Sequence, residues 1–460
     1  MRVCVIGGGI AGLTAAYRLK QHGADVEVFE GGPRVGGLLG TECFDGFVVE
    51  TGADSILTEK PWAMELAEEL GLAREVIQTE AGPRGAYIVH AGKLERVPDG
   101  FSLMAPTDLL AMARSPVMSW PGKLRMALDL VLPKRRASDD ESLQSYVERR
   151  LGREAFERLA QPLVSGIYGA DPQKLSLAAT MPRFVEMERE HGSVIRGLWA
   201  RQRAAQGGAS VKAAGARYGL FAAFRGGMQS LVDALASRLE GSIRLRHLVT
   251  AIEHDADGSI SVEVRGAFHG YDALIVAVPA HVAAQILPSF DPELSRHLFG
   301  IPYASAATVT CAFPRAAIPH PLDAFGFVVP ATENREILAS TWASVKYAGR
   351  APADKALIRV FVGGYTGQHL VDRRDDELLE IARRELRELL GVTEPPEWFR
   401  VARFLRAMPQ YHLGHQARVA EIEALTQKHR RFALAGNAYR GVGIPDAIKS
   451  ANDAVARVLA

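Results

Sequence analysis

The sequence predicts an α/β fold in three units: a parallel-sheet unit built from both ends of the chain, an antiparallel sheet, and a helical unit between them. Three observations lead there. Arg2 to Ile6 is a β-branched run that enters Gly7-Gly8-Gly9-Ile10-Ala11-Gly12 and then an amphipathic helix, Leu13 to Gln21. Phe432 to Ala435 repeats the pattern at the far end, reaching a terminal helix, Pro445 to Leu459, through a glycine-rich turn. Between them lie short β-branched strands, Ala307 to Phe313, Phe325 to Val329 and Leu357 to Val362, and one long helix, Asp375 to Leu390. Alternation in such strands marks a sheet with one face in a core. With 460 residues the chain has room for about three folding units.

Composition removes several classes of function. Lys+Arg 54 against Asp+Glu 53 leaves a net charge of +1, so no nucleic-acid partner is expected. Cys4, Cys43 and Cys311 show no CxxC spacing and cannot all pair, which points to a reducing compartment and no structural zinc. The chain opens as a buried strand, so no signal peptide is expected. The longest apolar stretch, Ala273 to Leu287, carries Pro279, His281 and Gln285 and is shorter than the ~20 residues of a spanning helix. Ala204 to Gly219, rich in Ala and Gly, reads as a mobile connection.

Taken in order, the first strand, turn and helix form a Rossmann-like dinucleotide fingerprint. Gly7 permits the tight turn, Gly9 lets a pyrophosphate approach the backbone, and Gly12 lets helix and strand pack closely. Gly8, Ile10 and Ala11 complete the loop at a helix N-terminus that faces the anion. A second strand, Asp25 to Phe29, ends in Glu30, 18 residues beyond Gly12, where a carboxylate can accept both ribose hydroxyls; Gly31 follows it. NAD and FAD share this fingerprint, and Pro33-Arg34-Val35-Gly36-Gly37-Leu38 stands where a simple NAD domain would continue into its next helix. A second close backbone approach to a phosphate is implied. Val48-Val49-Glu50 is a strand running into the small-residue turn Gly52-Ala53-Asp54-Ser55. At the C-terminal end, Gly436 to Ile444, with Val442 and Gly443, brings glycine-rich backbone to a helix N-terminus. Its positive dipole could stabilise a reduced cofactor anion.

These segments resemble the flavin amine-oxidase superfamily, in which RxGG covers the pyrophosphate and the ExG turn lies against the flavin. Further strings resemble one branch, the oxygen-dependent protoporphyrinogen oxidases and related bacterial coproporphyrinogen oxidases. They are Ser165-Gly166-Ile167-Tyr168-Gly169-Ala170-Asp171-Pro172, Met187 to His191, Phe224-Arg225-Gly226-Gly227-Met228, and Pro409-Gln410-Tyr411-His412-Leu413-Gly414-His415. The resemblance spans nearly the whole chain. It implies a GR2-type FAD-binding domain with noncovalent FAD, and oxidation of protoporphyrinogen IX to protoporphyrin IX in heme biosynthesis. Six electrons leave the substrate in three two-electron rounds, and in each round O2 reoxidises the flavin and is itself reduced to H2O2. Coproporphyrinogen III is the alternative substrate; an FAD-dependent amine oxidase and a porphyrin carrier are the remaining alternatives. For an amine oxidase, Tyr439 is available as an aromatic at the flavin face, but the last cysteine, Cys311, is far from the C-terminal motif that would carry a covalent flavin.

The family chemistry is hydride transfer from a meso carbon, so the protein has mainly to hold a flat ring near the flavin and exclude water. No catalytic side chain and no metal ligand are expected. The resemblance gives Phe361 the role of stacking on a tetrapyrrole ring, and it gives Val328 and Thr341 those of apolar residues that sandwich the macrocycle; Thr341 departs from the usual Leu. Gly166 and Gly169 belong to the same substrate site. Val249 corresponds to the family's adenine contact, and Phe404, a further cofactor contact by the resemblance, stands where Trp is frequent. Many protoporphyrinogen oxidases carry an Arg, able to clamp a propionate, where this chain has Ala86. Arg84, two residues away and on the same face of a strand, is the substitute.

The expected division is an FAD-binding domain from residues 1–80, 220–285 and 425–460, an antiparallel substrate domain from 81–100 and 286–424, and a helical domain, 101–219. In the last, Phe101 to Pro106 and Met118 to Arg125 combine apolar residues with the basic cluster Lys134-Arg135-Arg136. This predicts an interfacial, non-spanning membrane surface and a cytoplasmic protein held peripherally at the cytoplasmic membrane. The remaining expected partners are a homodimer mate and a heme-pathway chelatase that receives the product.

Overall fold

The computed structural model describes residues 1–82, 85–137, 139–206, 221–254 and 259–460. Arg84 and most of the Ala204 to Gly219 connection therefore lie outside the described residues.

Both chain ends do meet in one parallel sheet. Its order is Ile243–Leu245, Asp25–Glu30, Arg2–Ile6, Ala273–Val276, Phe432–Leu434, with every neighbouring pair parallel. The two central strands are buried on both faces, which is why they read as unbroken apolar runs. Helices Ile10–Gln21 and Ile444–Leu459 cover one face through Leu13, Leu19, Ile448 and Val455. The other face is covered by a three-stranded antiparallel meander, Val249–His254, Ile260–Val264 and Ala267–Tyr271, and by helices Ala280–Ile286, Pro292–Phe299 and His415–Gln427. The last two helices were expected in the substrate unit. Leu294, Leu298, Val419 and Ile422 instead share a core with Ile6, Phe29 and Phe432, because their apolar stripes find the open face of the parallel sheet.

The second sheet has seven strands in the order Trp398–Pro409, Tyr303–Pro314, Lys355–Gly363, Ile337–Trp342, Gly326–Val328, Tyr87–His90, Lys93–Arg96. All neighbouring pairs but one are antiparallel; Gly326–Val328 pairs with Tyr87–His90 in parallel. The exception has a topological cause: these two strands come from distant parts of the chain, so no hairpin fixes their relative direction. One face of this sheet is closed by the helix Asp375–Leu390, whose Leu378, Ile381, Ala382 and Leu386 pack on Val309, Ile358, Val360 and Val362. Burying each larger side chain in such a core is worth about 1.5 to 3 kcal/mol.

The helical unit has its own core, centred on Tyr146, Leu159, Leu163 and Phe184. It is pinned by a buried ion pair: Arg150 meets Asp129 at 2.5 Å, and the second Asp129 oxygen accepts from Ser193 Oγ at 2.6 Å and from the Ile195 N–H at 3.0 Å. Every Asp129 oxygen is thus used, the condition under which a buried charge is tolerated. Among the described residues, no helix is long and apolar enough to cross a membrane.

Candidate functional site

The N-terminal loop follows the logic read from its glycines. Gly7 sits at φ +108°, and a Cβ there would stand 2.6 Å from the Ala277 carbonyl oxygen. A Cβ on Gly12 would overlap the Gly7 carbonyl, so close helix packing requires its absence. Gly9 differs from both: nothing lies within 4 Å of its would-be Cβ. It is the N-cap of Ile10–Gln21, has no side-chain cap, and is followed by a first turn without acidic residues. An open, uncapped helix N-terminus fits a pyrophosphate. The second glycine loop docks on the first, with Gly36 N–H donating to Gly8 O at 2.8 Å and a parallel bridge joining Gly9 to Gly36. Arg34 does not project from this loop. Its guanidinium donates to the carbonyls of Val35, Gly37 and Leu39 at 2.8 to 3.0 Å, so it shapes the loop that leaves Leu38 exposed.

Glu30, expected from the sequence to face a ribose, has its carboxylate accepting from Gly8 N–H at 2.7 Å and Gly32 N–H at 2.6 Å. This fixes the acid at the strand end, beside the glycine turn. Val249, expected as an adenine contact, buries its side chain in the core with Phe29 and Ile252, so contact with a base would go through its main chain. Leu248, which sequence reasoning did not single out, is exposed and lies 3.1 Å from a Cβ built on Gly31.

At the C-terminal motif, Gly443 is the N-cap of Ile444–Leu459. Asp446 sits in that first turn, 3.3 Å from Gly443 N–H, and its two oxygens take Lys60 Nζ at 2.6 and 2.7 Å. Lys60 therefore offsets a carboxylate that would otherwise weaken the positive helix end. Tyr411 OH donates to Asn437 O at 2.7 Å and accepts from Gly441 N–H at 2.8 Å, clamping the loop between Gly436 and Val442. Burial pushes the Tyr411 phenol well up, so it stays protonated as a donor. Tyr439 is turned into the core, with its hydroxyl buried and without a hydrogen-bond partner among the described residues.

The turn Gly52-Ala53-Asp54-Ser55 rests on a charged network. A Cβ on Gly52 would overlap Leu38 O, which locks this turn to the second glycine loop. Asp54 meets Lys346 Nζ at 3.1 Å and accepts from Ser55 Oγ at 2.6 Å, while Ser55 Oγ also takes Tyr347 OH at 2.9 Å. Burial alone would raise the Asp54 carboxyl, but Lys346 and Arg359 outweigh it and hold the group far below the usual carboxylate range. Glu50 goes the other way: burial raises it, against Arg350, Thr41 and the Met228 N–H.

Facing this turn is the inner side of the seven-stranded sheet, and register shows which residues it carries. Directly paired residues share a face, and Phe361 pairs with Thr308 and Ala339, Ala339 with Val328, and Val328 with Ile88. One row across the sheet therefore reads Thr308, Phe361, Ala339, Val328. The next row on the same face holds Thr310, Arg359, Thr341 and Gly326, and Ala86 extends it. Phe404 pairs with Ala306 in a third row of that face. Phe361, Val328, Thr341, Ala86 and Phe404, chosen separately from sequence, are thus brought onto one surface. It is bounded by two elements. On one side, Leu357 and Ala312 pack against Phe47 and Val49 of the hairpin that leads into Gly52. On the other stands the helix Gln161–Tyr168, where a Cβ on Gly166 would meet Val328 Cγ1 at 3.8 Å. Gly169 ends that helix at φ +55°, and its carbonyl accepts from Tyr365 N–H at 2.9 Å, four residues beyond Phe361.

Known proteins are similar to this chain over nearly its whole length. The profile of the flavin containing amine oxidoreductases matches residues 10–459. A coproporphyrinogen III oxidase from Bacillus subtilis (strain 168) is 33% identical, with 99% of this chain and 97% of that protein covered. Protoporphyrinogen oxidase 2, chloroplastic/mitochondrial, of Arabidopsis thaliana is 29% identical, with 98% and 92% covered. A crystal structure of a provisional protoporphyrinogen oxidase from Exiguobacterium sp. 255-15 superposes with a TM-score of 0.87 at 30% identity, covering 99% of this chain and 98% of that one.

Proposed function

The chain belongs to the flavin containing amine oxidoreductase family, and from that membership we propose that it oxidises a porphyrinogen to the corresponding porphyrin. The observation that carries the reading is the gathering of Phe361, Val328 and Thr341 on one sheet face, bounded by the Gly52 turn and by the helix of Gly166. FAD is the cofactor, and when bound it accepts two electrons per round and passes them to O2. The open Gly9 at the helix N-terminus supports its pyrophosphate, Glu30 its ribose, the Gly52–Ser55 turn and the Gly436–Ile444 loop its ring.

The chain's own task is positioning. Phe361, half-buried, offers a ring face against which a flat macrocycle stacks, and Val328 and Ala339 extend that wall. Aromatic stacking of this kind adds about 0.5 to 1.5 kcal/mol beyond area burial. No side chain on this face needs to move a proton for the ring to be held.

Protoporphyrinogen IX is the substrate by the sequence reading. Coproporphyrinogen III is the second reading, favoured by Ala86 in place of a propionate-binding Arg and by the higher identity to the Bacillus protein. Anaerobic stopped-flow bleaching of the bound flavin, with each porphyrinogen at matched concentration, decides between them. Faster bleaching by protoporphyrinogen supports the first, faster bleaching by coproporphyrinogen the second, and bleaching by neither removes the function.

Peripheral membrane attachment is part of the same proposal. Phe101 to Pro106 does not contribute, since Leu103, Met104 and Ala105 are buried in the helical core, as is Met118. The helix Trp120–Ala127 and the turn after it instead expose Trp120, Leu124, Leu128 and Val131, with Lys123 Nζ 4.7 Å from the Trp120 ring centroid. Apolar side chains beside a cation suit an anionic lipid surface. Flotation with anionic liposomes tests this: the parent should rise with the vesicles and Trp120→Ala less so. Protein wholly in the bottom fraction would overturn it.

A further inference from the structure

Arg359 stands on the inner sheet face, and the proposed function leaves its chemistry unused. It is 5% exposed, on the strand Lys355–Gly363, two residues before Phe361 and so on the same face. A buried guanidinium is expected to be paired, yet Arg359 makes no ion pair of its own among the described residues. The nearby carboxylates have other partners: Asp54 meets Lys346 at 3.1 Å and Glu50 meets Arg350 at 3.5 Å. Two contacts hold Arg359. One Nη2 donates to the Gly52 carbonyl at 2.7 Å, and the guanidinium carbon stands 5.1 Å from the Phe361 ring centroid. Its Nε is buried with no hydrogen-bond partner among the described residues.

Such an arrangement is costly for stability alone. A buried cation whose Nε lacks a partner is poorly compensated, and an apolar side chain would fill the same place between Thr310 and Thr341. What Arg offers there is a planar group that can donate at its edge and stack with its face simultaneously.

We propose that Arg359 is a positioning residue that ties the Gly52 turn to the Phe361 ring, and so sets the spacing between the flavin and the stacked substrate. The proposal rests on the reading of Phe361 as the stacking residue. Gly52 belongs to the turn held against the cofactor, and Phe361 to the wall that holds the macrocycle. Arg359 touches both through side-chain atoms, and Lys346 on Asp54 leaves Arg359 free to turn towards the ring. Arg359 acts through Phe361, and its removal should be felt only where that ring is present.

The test is a double-mutant cycle on FAD-loaded enzyme, with porphyrin affinity measured by fluorescence titration and flavin reduction by anaerobic stopped flow. Arg359→Met is expected to weaken porphyrin binding and slow reduction by about tenfold in the parent, and by less than about twofold in the Phe361→Ala background, as coupled neighbours behave. Arg359→Lys keeps the charge without the planar fork; it should hold FAD, as judged by flavin absorbance, and match Arg359→Met in both measurements. That variant also keeps the test valid if Arg359→Met fails to fold. Equal effects of Arg359 substitution in both backgrounds would overturn the proposal, as would parental behaviour of Arg359→Lys. If Phe361→Ala alone changed neither measurement, the stacking reading would fall, and this proposal with it.

Discussion

The strand Lys355–Gly363 separates two regions that differ in almost every physical property. Ile358, Val360 and Val362 point to a dry apolar core against the helix Asp375–Leu390, all fully buried. Leu357, Arg359 and Phe361, their immediate neighbours, point to the other face, where a buried cation, the Gly52 carbonyl and a half-buried ring meet. One face is closed by side chains that only need to fit. The other keeps an under-paired cation and a partly open ring, features that a search for stability alone would remove. The lesson is a division of labour by parity: the even-numbered residues hold the sheet together, while on the odd-numbered face Leu357 packs on the Phe47 hairpin and Arg359 and Phe361 are left to other work.

The sharpest way to break that division is to truncate the dry face. Ile358→Ala removes a fully buried side chain from a core with little room to collapse, at an expected cost of about 2 to 5 kcal/mol. Chemical denaturation should show that loss, while kcat/KM per flavin in the folded fraction stays at the parental value. A fall in kcat/KM with unchanged stability would mean that the two faces are not independent.

Next in size is the charged network beneath the site. Asp54→Asn leaves Lys346 without the carboxylate it pairs with and removes a negative charge that acts on Arg359, at an expected cost of about 3 kcal/mol at neutral pH. The folded carboxyl lies below its unfolded value, so its stabilisation is fully present above the ordinary carboxylate range near about pH 4 and is lost as pH falls through that range towards the folded value. The parent and Asp54→Asn should therefore differ in thermal stability at pH 7 and converge on acidification. A gap that is constant with pH would show that Asp54 acts by packing rather than by charge.

Phe361→Ala is the complementary change on the open face. It should cost about 1 to 3 kcal/mol in kcat/KM for the porphyrinogen, carried by lost ring contact, with a melting temperature close to the parent's because the ring is only half-buried. Parental kinetics would take Phe361 out of the site.

How much of this could be read in the sequence follows the same parity. The dinucleotide turn was legible because close packing and tight turns admit only glycine at Gly7 and Gly12, and the central strands because burial on both faces leaves apolar runs. The helix Asp375–Leu390 has the bounds its periodicity predicts. Phe361, Val328, Thr341 and Phe404 were named through resemblance, yet only register shows that they share a face. Arg359 left no signal, since a lone Arg in a strand reads as an exposed edge residue until pairing places it inside. The clamps Tyr411 and Lys60 were equally silent as such, because their partners lie 26 and 386 residues away. Helices Pro292–Phe299 and His415–Gln427 were assigned by sequence neighbourhood, whereas their apolar stripes follow the nearest uncovered sheet face.

The smallest effect separates wall from recognition. Thr341 lies on the inner face directly opposite Arg359, at a position where the resembling family usually has Leu. If its role is to bound the macrocycle with its methyl group and Cβ, Thr341→Val keeps the shape and removes only a hydroxyl, and kcat/KM should change by less than about threefold, under about 1 kcal/mol. The measurement is steady-state porphyrinogen oxidation with both substrates in parallel. A loss above tenfold for one of them would place the hydroxyl in contact with that substrate's polar edge. The row Thr310, Arg359, Thr341, Ala86 would then be a recognition strip, and the absence of an arginine at residue 86 would be compensated from across the sheet rather than from Arg84.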